Sequence, residues 1–335
     1  MTLPEPLVRL GARHPLAIAS IIVATVIGVG ATIATVAAFA AERWWVLDVL
    51  TSFRPQFLVL TLIAGVTLAL LRRPRLAIVM AIACGLNVWQ VAPVYTRSQP
   101  SVAASSATLS IAHLNLQGHV KDGPALKRWL GTRPADVVVL LDIGGYLADQ
   151  LIRDPSGYRL VFVQPAPTGS PGSKIIDSSL MVLTTRPDVT AVASTTEGLP
   201  RSSVEIAARL GDHPVRLLGL HTTAPTSSAR HGRRDTQLDA VAHWLVADPT
   251  PSIAFGDFNV TWYSPALRSV LDRTDARSSQ LGFGIQATWP VPVRPAGIAI
   301  DQSIYTGPLT AITRTRGPSF GSEHRALIVT YAWAA

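Results

Sequence analysis

Residues 16–40 run for 25 positions without a charged side chain, and this run limits the fold more than any other feature of the chain. About 20 apolar residues cross a bilayer as a helix, and 25 cross with some tilt. A second uncharged run covers residues 57–71, just long enough when counted from Pro55, and a third covers residues 76–94. The loops between them are short, which predicts a compact arrangement of three transmembrane helices. The first run exceeds the core of a signal peptide and lacks a clear cleavage pattern, so it reads as retained. Bulk composition agrees: 15% of the 335 residues are charged, mean hydropathy is +0.31, and soluble domains carry about a quarter charged residues. The length allows one ordinary domain besides the membrane segment. The single cysteine, Cys84, excludes an intrachain disulfide.

Arg9 and Arg13 precede the first run, and Arg72, Arg73 and Arg75 separate the second from the third. The intervening loop has Arg43 and Arg54, offset by Glu42 and Asp48. Five arginines against two place the N-terminus and the 72–75 loop in the cytoplasm. Three crossings then deliver everything after Tyr95 to the outer side of the membrane, with Trp44 and Trp45 at the interface. The expected domains are a membrane part at 1–97, a Ser/Ala-rich tether at 98–107 and a soluble domain at 108–335. Net charge divides in the same way. Residues 1–97 hold eight Lys/Arg and three Asp/Glu, and the remainder hold twenty-one and eighteen. A soluble part at only +3 lacks the clustered cations that a polyphosphate backbone demands, so nucleic acid is the weaker partner. One cluster, Arg230, Arg233 and Arg234, is a candidate for contact with anionic headgroups; Arg230 and Arg234 are the substrate-binding candidates.

From Thr108 the chain alternates strand-like runs (109–116, 137–141, 180–184, 215–220, 253–255, 299–305 and 326–331) with turns. Helices are expected at 124–130 and 237–246, and residues 164–173, rich in Pro, Gly and Ser, form a loop. Many strands with few helices between them imply an α+β sandwich of sheets. Polar groups fall at the strand ends. Asn115 closes the first strand, Asp142 the second and His221 the fourth. Gly256-Asp257-Phe258-Asn259 closes the fifth, Asp301 lies in the sixth, and Ser322-Glu323-His324 precedes the last. A strand-end Asn or Asp alone is a turn former. Asp301 in an apolar strand requires a partner, because a buried carboxylate is costly unpaired; His324 would supply one. The remaining histidines (His14, His113, His119, His213, His231 and His243) read as structural or solvated.

Taken in order, these residues resemble the endonuclease/exonuclease/phosphatase superfamily. The resemblance implies a DNase I-like, four-layered α/β sandwich over residues 108–335 that cleaves phosphate esters with Mg²⁺ or Mn²⁺. Within it, Arg234-Asp235-Thr236-Gln237-Leu238 and Ala287-Thr288-Trp289-Pro290 look like a membrane-attached, VanJ-like branch linked to pyrophosphate-bearing lipid carriers of the cell wall. The resemblance implies roles residue by residue. Asp142, Glu323 and Asn115 would supply the hard oxygen ligands that Mg²⁺ prefers. His324 would be the base, oriented by Asp301. Asp257 and Asn259 would orient the water and the transition-state phosphorane, and His221 would donate to a non-bridging oxygen.

Two departures sit at the expected metal site: Asp142 stands where the family has Glu, and Glu323 where it has Asp. If both face one ion, the shorter and the longer side chain offset each other. Gln302 stands where many relatives have His. The leading expectation is a metal-dependent phosphohydrolase acting on a phosphorylated lipid. The alternatives are a tethered nuclease, a phospholipase C-like phosphodiesterase and a catalytically weakened binding protein.

Overall fold

The computed structural model describes residues 15–103, 106–118, 122–164, 179–291 and 296–334. Arg9, Arg13, His14, His119 and nearly all of the expected loop at 164–173 lie outside them. The first uncharged run forms α1 (Pro15–Ala37), which continues as a 3-10 turn, Ala38–Arg43. A short helix, α2 (Trp45–Thr51), leads into α3 (Arg54–Leu70), and α4 (Pro74–Val91) and α5 (Pro93–Thr96) follow. Prolines at the first turns of α3 and α4 start those helices where a missing N–H costs nothing. Residues 15–43 and α4 are each long and apolar enough to cross a membrane; α2 and α3 qualify as a third span only as one unit bent by 69°.

Small residues let these helices approach closely. A Cβ on Gly28 would meet Met80 Sδ at 2.5 Å and Ala64 Cβ at 2.8 Å, which is the packing that small residues permit between apolar helices. Asn87 of α4 donates to Thr35 Oγ1 of α1 at 2.8 Å inside this bundle. The outer faces carry Ile22, Val26, Leu62, Val66 and Ile82 exposed, an apolar surface far larger than a soluble monomer tolerates.

Two six-stranded sheets follow. In chain order the strands are β1 (Thr108–Asn115), β2 (Val137–Leu141), β3 (Arg159–Gln164), β4 (Leu180–Thr184), β5 (Thr190–Ala193) and β6 (Ser203–Leu210). Then come β7 (His213–His221), β8 (Ser252–Asp257), β9 (Arg277–Ser278), β10 (Asp301–Tyr305), β11 (Leu309–Arg316) and β12 (Leu327–Trp333). One sheet has the order β11-β12-β1-β2-β4-β3 and the other β5-β6-β7-β8-β10-β9. Val137, Val139 and Leu141 of β2 face Leu217, Ile253 and Phe255 of the second sheet across the central core. The alternate residues, Val138 and Leu140, pack under Leu126 and Leu130 of α6 (Gly123–Gly131) and Leu147 and Leu151 of α7 (Gly145–Arg153). On the far side Leu218, Leu220 and Ala254 pack under α8 (Ser228–Val246) and α9 (Pro265–Thr274). The result is a mixed α+β sandwich of four layers. Strands covered on both faces read as continuous apolar runs, which is why β2, β4 and β8 stand out in the sequence.

The helical part is fastened to the sandwich. Val91 and Val94 join the core beneath α8 and α9. Gly284 N–H donates to the Val94 carbonyl at 2.7 Å, and Gln99 donates to the Leu281 carbonyl at 2.7 Å. The segment expected to act as a tether is therefore pinned along its first residues.

Candidate active site

Strand register collects the polar groups. In the second sheet His221 pairs across parallel strands with Asp257, and Asp257 pairs across antiparallel strands with Asp301. The three form one row at the strand ends. In the first sheet Asn115 pairs with Leu141, which puts Asp142 at the same end. Gly256 makes the row possible, because at φ +138° a Cβ there would lie 1.9 Å from the Leu220 carbonyl oxygen.

The side chains converge on Asp257. Its Oδ2 accepts from Asn115 Nδ2 at 2.9 Å and lies 3.4 Å from His221 Nε2 and 3.7 Å from His324 Nε2. Its Oδ1 accepts the Asn259 N–H at 2.9 Å. His221 is held between two carboxylates, with Nδ1 3.0 Å from Asp142 Oδ2. Burial pulls the His221 pKa down, but Asp142 and Asp257 outweigh it and raise it to about 9. His324 is likewise pulled down by burial and raised overall by Asp301 and Asp257. Its Nδ1 lies 3.0 Å from Asp301 Oδ2, so Asp301 fixes the ring and leaves Nε2 toward Asp257. Ser322 sets this geometry locally: its hydroxyl donates to the Asn115 carbonyl at 2.7 Å and accepts the His324 N–H at 3.0 Å. Burial pushes Asp257 up despite both histidines. For Asp301, burial is outweighed by His324 and the carboxyl is held low.

The structure thus brings Asn115, Asp142, His221, Asp257, Asn259, Asp301 and His324 together. Glu323 is exposed and lines the cavity into which the site opens, where its Oε2 accepts from the Trp289 indole at 3.2 Å. Arg230 is exposed and bonds the Ala224 carbonyl at 3.0 Å. Arg234 is turned inward: its guanidinium donates to Asp48 at 2.6 Å, to Asp235 at 2.8 Å and to the Asn259 carbonyl at 3.4 Å. Those bonds turn Arg234 inward at the wall of the cavity, whereas Arg230 stands exposed at its rim. Gln302, fully buried, donates to the Val260 and Ala299 carbonyls and supports the site from beneath.

The donor set fits a hard divalent cation. Asp142 Oδ1 is buried without a hydrogen-bond partner, and carboxylate oxygens are what Mg²⁺ and Mn²⁺ take. Asp257, Asp301 and His324 also offer ligand atoms that all lie within 4.8 Å of one another. That second trio carries one donor type, imidazole, which the expected Asp142–Asn115–Glu323 set did not include.

The site opens into a cavity of about 750 Å³. Asp142, His221, Asp257, Asn259 and His324 line one side, and Asp48, Val49, Ser52 and Phe53, from α2 and the turn after it, line another. Sequence reasoning missed this second wall. An aspartate within the apolar run from Trp44 to Phe53 was the available signal.

A family model for the Endonuclease/Exonuclease/phosphatase family matches residues 112–324, and the chain belongs to that family. No curated protein matches it. Among solved structures, the endonuclease/exonuclease/phosphatase from Beutenbergia cavernae is 16% identical, with a TM-score of 0.50 over 68% of this chain and 72% of that one. TDP2 of D. rerio, in complex with a single-strand DNA product, is 17% identical with a TM-score of 0.53 over 67% and 98%. A truncated TDP2 of Caenorhabditis elegans is 16% identical with a TM-score of 0.51 over 67% and 98%. At these identities the likeness is one of fold. Members of the family are phosphoesterase hydrolases.

Proposed function

We propose that this protein is a divalent-metal-dependent phosphohydrolase that removes a phosphate or pyrophosphate group carried by a lipid, on the outer face of a bacterial membrane. One observation carries the lipid reading: a single cavity is walled both by the strand-end residues and by the segment that joins two apolar helices. A substrate held in the same bilayer reaches such a cavity at high effective concentration. An odd number of crossings, with Arg72, Arg73 and Arg75 cytoplasmic, sets the sandwich on the outer side; the membrane part is residues 1–97 and the hydrolase domain residues 108–335.

The ion, held by Asp142 and Asn115 and adjoined by Asp257, would neutralise the phosphate oxygens that repel a nucleophile. His324 Nε2 takes the proton of the attacking water, and Asp301 at its Nδ1 stabilises the imidazolium that results. Asp257 holds that water close to His324. His221, protonated between Asp142 and Asp257, donates to a non-bridging oxygen and balances charge as it develops. Asn259, fixed by Thr222 and Asp257, faces the same phosphate. Arg230 stands at the rim and Glu323 beside Trp289.

Phosphate release from a polyprenyl pyrophosphate, assayed in detergent with Mg²⁺, Mn²⁺ or chelator, tests this reading. Release is expected to need metal and to fall at least 1,000-fold in His324→Ala, on the scale of losing a general base. Cleavage of DNA or RNA in place of the lipid, with the steep salt dependence of backbone contacts, would replace this reading with the nuclease one.

A further inference from the structure

Asp48 belongs to α2, far in sequence from every strand-end residue, yet its carboxylate brackets the catalytic loop. It is 4% exposed. Its Oδ1 accepts from Ser264 Oγ at 2.6 Å; its Oδ2 accepts from Arg234 Nη2 at 2.6 Å and lies 2.9 Å from His231 Nε2. Ser264 is the N-cap of α9 and ends the loop that begins at Asn259. Arg234, 2% exposed, passes the contact to the other end of that loop through its Nη1 and the Asn259 carbonyl. Between the two ends, Thr261 Oγ1 donates to Ser52 Oγ at 3.4 Å. One carboxylate from the helical part thus fixes both ends of residues 259–264.

We propose that Asp48 is a positioning residue: acting through Arg234 and Ser264, it holds the Asn259 loop in its working geometry, so the site is complete only with α2 docked. Asn259 sits at φ +48°, a left-handed conformation that Asn adopts more readily than most residues, so the bonds at the two ends of its loop decide how it is aimed. Besides Asp48 and the Asn259 carbonyl, Arg234 meets His231 Nε2 at 2.9 Å, itself beside Asp48, and Asp235, which is 38% exposed at its side chain. A planar fork that bonds a carboxylate and a carbonyl at once is a task for Arg and not for Lys. The catalytic consequence rests on the phosphohydrolase reading; the positioning itself does not.

The test uses the full-length protein in detergent, as wild type and as Asp48→Asn. Hydrogen–deuterium exchange reads the loop without any substrate. Exchange across 257–264 is expected to quicken at least tenfold, while 137–141 and 215–220 stay unchanged. With a water-soluble phosphodiester, kcat is expected to fall about tenfold to a hundredfold, the scale of a small misplacement at a reacting centre, with KM within twofold. In an Asn259→Ala background the same change is expected to cost less than twofold, because there is no side chain left to position. Unaltered exchange at 257–264 in folded Asp48→Asn overturns the proposal, and so do additive losses in the cycle, the mark of a merely structural link. Should Asp48→Asn fail to fold, Arg234→Lys keeps the charge, loses the fork and is read against the same two outcomes. A wild type inactive on every phosphoester would remove the functional reading, and the exchange measurement would still decide whether Asp48 positions the loop.

Discussion

Asp142 and Asn259 both sit at φ +48°, a conformation in which Asp and Asn are several-fold enriched because their short polar side chains bond locally. The backbone reverses there as soon as each strand ends, which aims both residues back over the sheet edge. Glutamate in place of Asp142 would lose that local fit while gaining reach. Asp142→Asn is expected to keep the turn and remove the charge, raising the metal concentration for half-maximal activity at least tenfold; a metal titration of the activity reads this directly. The partner of Asp142, His221, gives a pH signature in the metal-free protein. Its folded pKa of about 9 lies above the unfolded value near 6.5. Its contribution is therefore fully present below pH ~6.5 and lost as pH rises through 9, with an amplitude on the order of 3 kcal/mol. Thermal midpoints of wild type and His221→Asn in chelator, taken from pH 6 to 10, should converge at the alkaline end. A constant gap would sink the charge assignment.

At the scale of elements, β7 and β8 run parallel so close together that Gly256 admits no side chain. Gly256→Ala is expected to destabilise the fold by about 3 kcal/mol or more, the range of a strained backbone joined to a steric clash, read as a fall in the thermal midpoint. The strands that carry the site were legible because both faces are covered and the apolar run stops at a polar residue. The seven strands expected correspond to β1, β2, β4, β7, β8, β10 and β12. Those missed lie mostly at or near sheet edges, where one face meets solvent: β3, β5, β9 and β11. In β6 the signal existed, since Val204, Ile206, Ala208 and Leu210 are buried at period two, with Glu205 and Arg209 between them. Helix α2 was hidden in an apolar stretch read as a loop. The inward turn of Arg234 was not legible either, because its partner Asp48 lies 186 residues away and no local pattern encodes a contact of that separation.

For the whole molecule, the question is what the α2 wall does for the substrate. Val49, Ser52 and Phe53 are half-buried at the cavity, directly before α3, whose outer face is apolar. A phosphate seated at Asp142 and Asp257 would leave its hydrocarbon running past Phe53 toward lipid. Burying one aromatic side chain against an alkyl chain contributes on the order of 2 kcal/mol, which is about thirtyfold in an equilibrium constant. Phe53→Asp places a charge in that path without touching a strand-end residue. It is expected to raise KM for a long-chain polyprenyl pyrophosphate by at least tenfold while leaving KM for a short, water-soluble phosphodiester within twofold. Equal losses on both substrates would mean that the chain leaves the cavity elsewhere. The α2 wall would then serve only to hold the Asn259 loop.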